Sequence, residues 1–221
     1  SEMAGEHSLF LDASGDRVQV ALFKGRNLEA KATGEGETLA VLFQLVDRCL
    51  EKAGVTWPQI GEYLYGEGPG STLGLRVAAM AVEIWRTGPD GAPPRIRPFN
   101  RLRWLAAEAR RKTPGTPPVV AVPWKRKHLF LLDPAQAEAP IEGIALDDLE
   151  LKERKGIAFN DGPFPLDLPA TFEVRPYLLD FSSTSFLDYL NSLPEVDHAT
   201  PFQLAPTEFK HWEGERFQRS S

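Results

Sequence analysis

The sequence predicts a duplicated α/β protein, built from two consecutive units that each open with antiparallel strands before continuing into helices. Three observations carry this expectation. The N-terminal "SLFLDASGDRVQVALFKGRNLEAKAT" reads as strands separated by turn residues. Two long apolar runs with helical spacing follow it, opening near Thr38 and Ser71. Beyond the loop "TPGTPP", the stretch "VVAVPWKRKHLFLLD" has the look of a second set of opening strands. This order argues against a doubly wound nucleotide fold.

The elements follow in turn. A first strand reaches Asp12, the turn at Ser14, Gly15 and Asp16 reverses the chain, and a second strand leads to a third after Gly25. In the middle strand Val18, Val20 and Leu22 point one way and Ala21 and Phe23 the other, so both of its faces are covered. From Thr38 to Ala53, Leu39, Leu42, Phe43, Val46 and Leu50 mark one face of a helix that Thr38 caps and Gly54 ends. Val41, Leu45 and Cys49 widen this apolar arc to about half the circumference, more than a surface helix needs for its own core. "EYLYGEGPG" is a short strand entering a glycine-rich joint, and the next helix runs from Ser71 to about Thr87. There Leu73, Val77, Met80 and Ile84 form one face, which Ala78, Ala81, Val82 and Trp85 extend with mostly small residues that let another helix come close. "RIRPF" is a further strand and "NRLRWLAAEARRK" a basic amphipathic helix begun by Asn100. The second unit adds an acidic loop around Asp147 and Asp148, a short strand before "NDGPFP", and a helix at "SFLDYLNSL" whose capping box is Ser185 with Asp188.

Composition narrows the function. The 221 residues, 42% hydrophobic and 25% charged, suffice for one large domain or two small ones around a buried core. A net charge of -6 provides no general basic field, so nucleic-acid binding by the chain alone is not expected. The single cysteine, Cys49, lies in an apolar helical run and cannot form an internal disulfide, which fits a reducing, cytoplasmic setting. No stretch has the length of a membrane span, and the leading "SEMAGEHS" lacks an apolar signal core.

The chemistry on offer is sparse. "GEGPGSTLGLR" lacks the lysine of a phosphate-binding P-loop, because Gly70 is followed by Ser71, Thr72 and Leu73. Its Gly66, Gly68 and Gly70 also miss the dinucleotide spacing. Two readings remain: a tight strand-to-helix joint, which is favoured, and an anion site at Gly68, Gly70 and Ser71 on a helix N-terminus. Asp12 likewise reads as a turn aspartate or as the holder of a hydrated magnesium beside a nucleotide. The histidines His7, His128, His198 and His211 show no metal-ligand spacing, and no metal is implied. "PWKRKH" interleaves an aromatic with basic residues, a pattern for touching RNA or, more commonly, for a solvated hairpin edge.

"DASGDRVQVALFKG", "LVDRCLEKAG" and above all "GEGPGSTLGLR" resemble the TsaB (YeaZ) family, with Gly66, Gly68, Pro69, Gly70, Ser71, Gly74, Leu75 and Arg76 matching its central motif. Weaker echoes are "AFNDGPF" and the terminal "PFQLAPTEFK". The chain departs from the family pattern at Thr38, at Thr72 and Leu73, and at Pro123, Trp124 and Lys125. The resemblance implies an actin-like, Hsp70-like fold: duplicated ribonuclease H-like α/β domains with mixed sheets, here residues 1–100 and a smaller 101–221. It further implies a non-catalytic subunit for threonylcarbamoyladenosine formation in tRNA. Such a subunit dimerises with a TsaD-type enzyme through its two N-terminal-domain helices and also meets a TsaE-type ATPase. It has no cofactor of its own, although ATP would sit at a partner interface. On those helices the expected contact residues are Val41, Leu42, Leu45, Cys49, Ala78, Ala81, Val82 and Trp85, and the same helices would carry a homodimer in the partner's absence. The alternative is an ATP-dependent enzyme of the same superfold using Asp12 and the Gly68–Ser71 loop.

Overall fold

A computed structural model describes residues 5–87, 92–136, 138–162, 164 and 167–204. His211 and most of the terminal "PFQLAPTEFK" echo lie outside the described residues.

The first strands form as expected. β1 (His7–Asp12), β2 (Arg17–Lys24) and β3 (Asn27–Glu35) pair as antiparallel neighbours, and β2 is buried on both faces over most of its length. Helix α1 (Thr38–Ala53) then crosses to β4 (Ile60–Gly68) through a 3-10 turn at Trp57–Gln59, and α2 (Thr72–Trp85) crosses to β5 (Arg95–Asn100). β1, β4 and β5 run parallel, giving a five-stranded mixed sheet in the order β3-β2-β1-β4-β5.

α3 (Arg101–Lys112), capped by Asn100 as anticipated, leads to the second half. There β6 (Val119–Pro123), β7 (His128–Leu132) and β8 (Glu142–Ala145) make the antiparallel part, followed by α4 (Leu149–Glu153), β9 (Gly156–Phe159) and β10 (Phe172–Arg175). The sheet order is β10-β9-β6-β7-β8, with β6, β9 and β10 parallel. Numbered within its own half, this is the strand order of the first sheet, so the duplication is present in the topology.

The halves share one core. α3 lies against β6 and β7, while α5 (Thr184–Asn191), which ends the second half, places Phe186 against Phe10 and Phe99 of the first sheet. Each half thus lends its last helix to the interface. Trp104 of α3 meets Phe186 of α5 in a T-shaped contact at 5.1 Å and Tyr189 in a tilted one at 5.2 Å, joining the two helices. On the opposite face of the first sheet α1 and α2 cover a second cluster built on Leu9, Leu11, Val20 and Tyr63.

Two caps differ from expectation. α1 is capped by Glu37, whose carboxylate accepts the N–H groups of Leu39 and Ala40, and not by Thr38. α5 is capped by Ser183, and Asp188 pairs with Arg26 at 2.7 Å in place of closing a capping box with Ser185.

Candidate functional site

Two regions hold the residues singled out by sequence: the outward side of α1 and α2, and the cleft where the turn after β1 meets the glycine loop after β4.

On the helices the expected contact set requires correction. Leu42, Leu45, Cys49, Ala78, Ala81 and Val82 are all buried in the chain's own core, and Val41 and Trp85 are half-buried against it. Of the faces expected to pack inward, Leu42, Val46 and Leu50 on α1 and Val77 on α2 are buried, and the rest is left to solvent. Leu39 and Phe43 on α1 and Leu73, Met80 and Ile84 on α2 are exposed, the last three at 62%, 54% and 60%. The cause is the small-residue side of α2. A Cβ on Gly74 would stand 1.9 Å from the carbonyl oxygen of Ala13, so this side of the helix seats directly on the first strand's end, which a larger side chain would forbid. Close packing by Gly74, Ala78 and Ala81 overrides the rule that the bulkier apolar face turns inward. Trp85 ties the face together, its ring lying 5.6 Å from Phe43, 4.9 Å from Trp57 and 6.0 Å from Tyr63.

In the cleft, Asp12, Gly68, Gly70 and Ser71 do come together, around a closed polar network. Asp12 Oδ1 accepts the N–H of Ser14 at 2.9 Å and Oδ2 accepts the hydroxyl of Tyr177. Ser71 donates its N–H to the Ser14 carbonyl at 2.9 Å, and its Oγ caps α2 by accepting from Gly74. The glycines are there for space: a Cβ on Gly66 would stand 2.2 Å from Asp12 Oδ1, and one on Gly70 2.1 Å from the Ser14 carbonyl oxygen. Gly68 additionally holds φ +112°, a region closed to most side chains. The segment is therefore a strand-to-helix joint packed on the first hairpin.

Residues distant in sequence complete the network. Arg101 donates to the Pro69 carbonyl at 2.6 Å and lies 5.0 Å over the Tyr177 ring. Asp161 of the second half accepts the N–H of Arg17 in the first at 2.7 Å, and Gln19 bonds both the Tyr177 carbonyl and the Leu179 N–H. Burial, reinforced by the Asp12 charge, pushes the Tyr177 hydroxyl well above the ordinary tyrosine value. Burial likewise raises Asp161, against the opposing pull of the Arg17 N–H and the Arg101 charge. Ser14 Oγ and Asp161 Oδ1 are buried without a hydrogen-bond partner among the described residues. Each Asp12 oxygen thus accepts one hydrogen bond from within the chain, from Ser14 and from Tyr177. Sequence reasoning missed Tyr177 and Gln19; Asp161 sat within the quoted "AFNDGPF" echo, and Arg101 opened a helix recognised only as basic.

Among the described residues no group of three or more histidine, cysteine, aspartate or glutamate side chains is placed to hold a metal ion, and no helix is long and apolar enough to cross a membrane. No protein-family model matches the chain, and no curated protein matches it. Solved structures do. YeaZ from Pseudomonas aeruginosa superposes with a TM-score of 0.62 at 19% sequence identity, over 90% of this chain and 99% of that one. An uncharacterized protein with similarity to peptidase YeaZ from Pseudomonas aeruginosa gives 0.60 at 17%, again over 90% and 99%. The chain therefore shares its fold with these structures over almost the whole of both, two α/β halves each with a five-stranded mixed sheet and helices.

Proposed function

We propose that this chain is a non-catalytic, TsaB-like scaffold subunit that dimerises with a TsaD-type enzyme for threonylcarbamoyladenosine modification of tRNA. The observation that carries the reading is the apolar outward face of α1 and α2. Of the nine large hydrophobic residues exposed among those described, six lie on it or beside it: Leu39, Phe43, Trp57, Leu73, Met80 and Ile84. A contiguous apolar patch with aromatic residues at its centre is the composition of a protein-binding surface. The likeness to YeaZ supports the same reading. A TsaE-type ATPase joins the assembly in this proposal, and a homodimer through the same face is the expected state without the partner.

Co-purification with the TsaD-type protein of the same organism tests the partnership. The complex is expected to form at micromolar concentration and to be lost in Met80→Asp/Ile84→Asp; no association between two folded proteins rejects the reading. Calorimetry with ATP and magnesium provides a separate check. The isolated chain is expected to give no tight binding, whereas tight binding abolished by Asp12→Ala would favour an ATP-dependent enzyme.

A further inference from the structure

The hairpin "PWKRKH" takes no part in the docking face. It forms one wall of a groove of about 370 Å³ between the two halves. Trp124 and Phe130 stand on that wall, Pro69 and Gly70 of the glycine loop with Thr72 and Arg76 of α2 on the other, and Phe202 and Gln203 complete the lining. The Trp124 and Phe130 rings lie 4.8 Å apart and Phe130 meets Phe202 at 6.2 Å, so the buried Phe130 backs the half-buried Trp124 and Phe202, the two aromatic residues the groove presents. Phe202 is fixed there by its N–H bond to the Glu67 carbonyl at 2.8 Å.

Lys31, Arg48, Lys152 and Lys155 lack an ion pair among the described residues but are scattered, whereas four such cations stand at or beside this groove. The net charge is -6, and most arginines are spent on carboxylates or carbonyls, as Arg86 is on Glu83, Arg97 on Glu62 and Arg111 on Glu108. Arg76, Lys125, Arg126 and Lys127 have no side-chain hydrogen bond or ion pair among the described residues; Lys125 only rests its ammonium 4.5 Å over the Trp124 ring. Asp147 follows Leu146, whose N–H bonds the Lys127 carbonyl, yet it forms no ion pair with any of the four. Three of these cations are exposed in the turn between β6 and β7, and the fourth lines the opposite wall.

We propose that this groove binds a single-stranded segment of RNA, a base lying against the part-exposed Trp124 and Phe202 and the adjoining phosphates meeting Arg76 and the hairpin cations. Stacking on aromatic rings combined with backbone neutralisation is how single strands are held without sequence readout. The volume is within the range of sites that enclose a small ligand. An acidic peptide would satisfy the cations but makes no use of the aromatic wall. Only the choice of tRNA as the natural ligand rests on the proposed function; the groove chemistry does not.

Fluorescence anisotropy of a short labelled single-stranded RNA, titrated at low salt with the full chain, tests the proposal. Saturable binding is expected, weakened about tenfold by Trp124→Ala, in keeping with the loss of one stacked base. Its logarithmic salt dependence is expected to have a slope of about -2, for three or so neutralised phosphates. Because Trp124 also packs on Gly143 and Phe130, the double variant Lys125→Glu/Arg126→Glu in the exposed turn provides a second measure, with an equal or larger loss expected. No saturable binding, an unchanged affinity in the double variant, or equal binding of a polyglutamate peptide overturns the proposal. Met80→Asp/Ile84→Asp is expected to leave RNA binding unchanged, so failure of the docking face and failure of the groove are told apart.

Discussion

Asp12 shows how a residue with catalytic potential is tied into structure. Its carboxylate serves the Ser14 N–H and the Tyr177 hydroxyl, so Asp12→Ala leaves two buried donors unpaired and is expected to cost about 1–3 kcal/mol in urea unfolding. Ser14→Ala removes a buried hydroxyl that has no partner among the described residues, and its stability is expected to stay level or rise slightly. The helix faces make a sharper pair. Leu42→Ala is expected to cost about 2–5 kcal/mol, as truncations in a packed core do. Met80→Ala is expected to stay within about 0.5 kcal/mol, because its side chain projects into solvent. The reverse order would show that the helices present the faces first expected from sequence. The joint at Gly66 to Ser71 was legible in the sequence because glycine, proline and a capping serine are local signals. Tyr177 was not, since its bond to Asp12 spans 165 positions and nothing around it marks a site.

At the scale of elements, boundaries were more legible than orientations. The sequence placed α1 at its observed limits, because Gly54 in the left-handed region stops it locally whatever the tertiary context. On α1 the inward face was legible at Leu42, Val46 and Leu50, but on α2 it was not, as both of its sides carry apolar residues and the choice is made by the closeness of approach at Gly74. That choice is testable. Gly74→Ala would thrust a methyl group against the Ala13 carbonyl, and the variant is expected to melt several degrees lower and to lose partner affinity as α2 is pushed off the sheet. By contrast Gly54→Ala, with nothing within 4 Å of its Cβ, meets only the local strain of a positive φ, about 1 kcal/mol, and is expected to leave docking intact.

For the whole molecule, the duplication was visible in the repeated order of strands and helices, whereas the exchange of last helices between halves was not. That exchange depends on long-range packing of Trp104, Phe186 and their neighbours, which no local periodicity encodes. A property of the whole chain follows from its tyrosines. All four are raised by burial above their ordinary value: Tyr63, Tyr65, Tyr177, and Tyr189 up to about 12. Each keeps its proton in the folded chain at a pH where the unfolded chain has released it. The resulting stability is complete below about pH 10 and is lost as pH rises beyond it, by up to about 1.4 kcal/mol per tyrosine per pH unit. Unfolding followed by near-ultraviolet absorbance is expected to be steep and cooperative above that point; gradual titration of four independent phenols would contradict it. The shared core also has a consequence for synthesis. Phe10 and Phe99 leave the ribosome long before Phe186, the residue that covers them, so the nascent first sheet waits with bare aromatic rings until α5 has been made. Chaperone protection is needed over that interval, and a ribosome stalled after α3 would present an adhesive, unfinished protein.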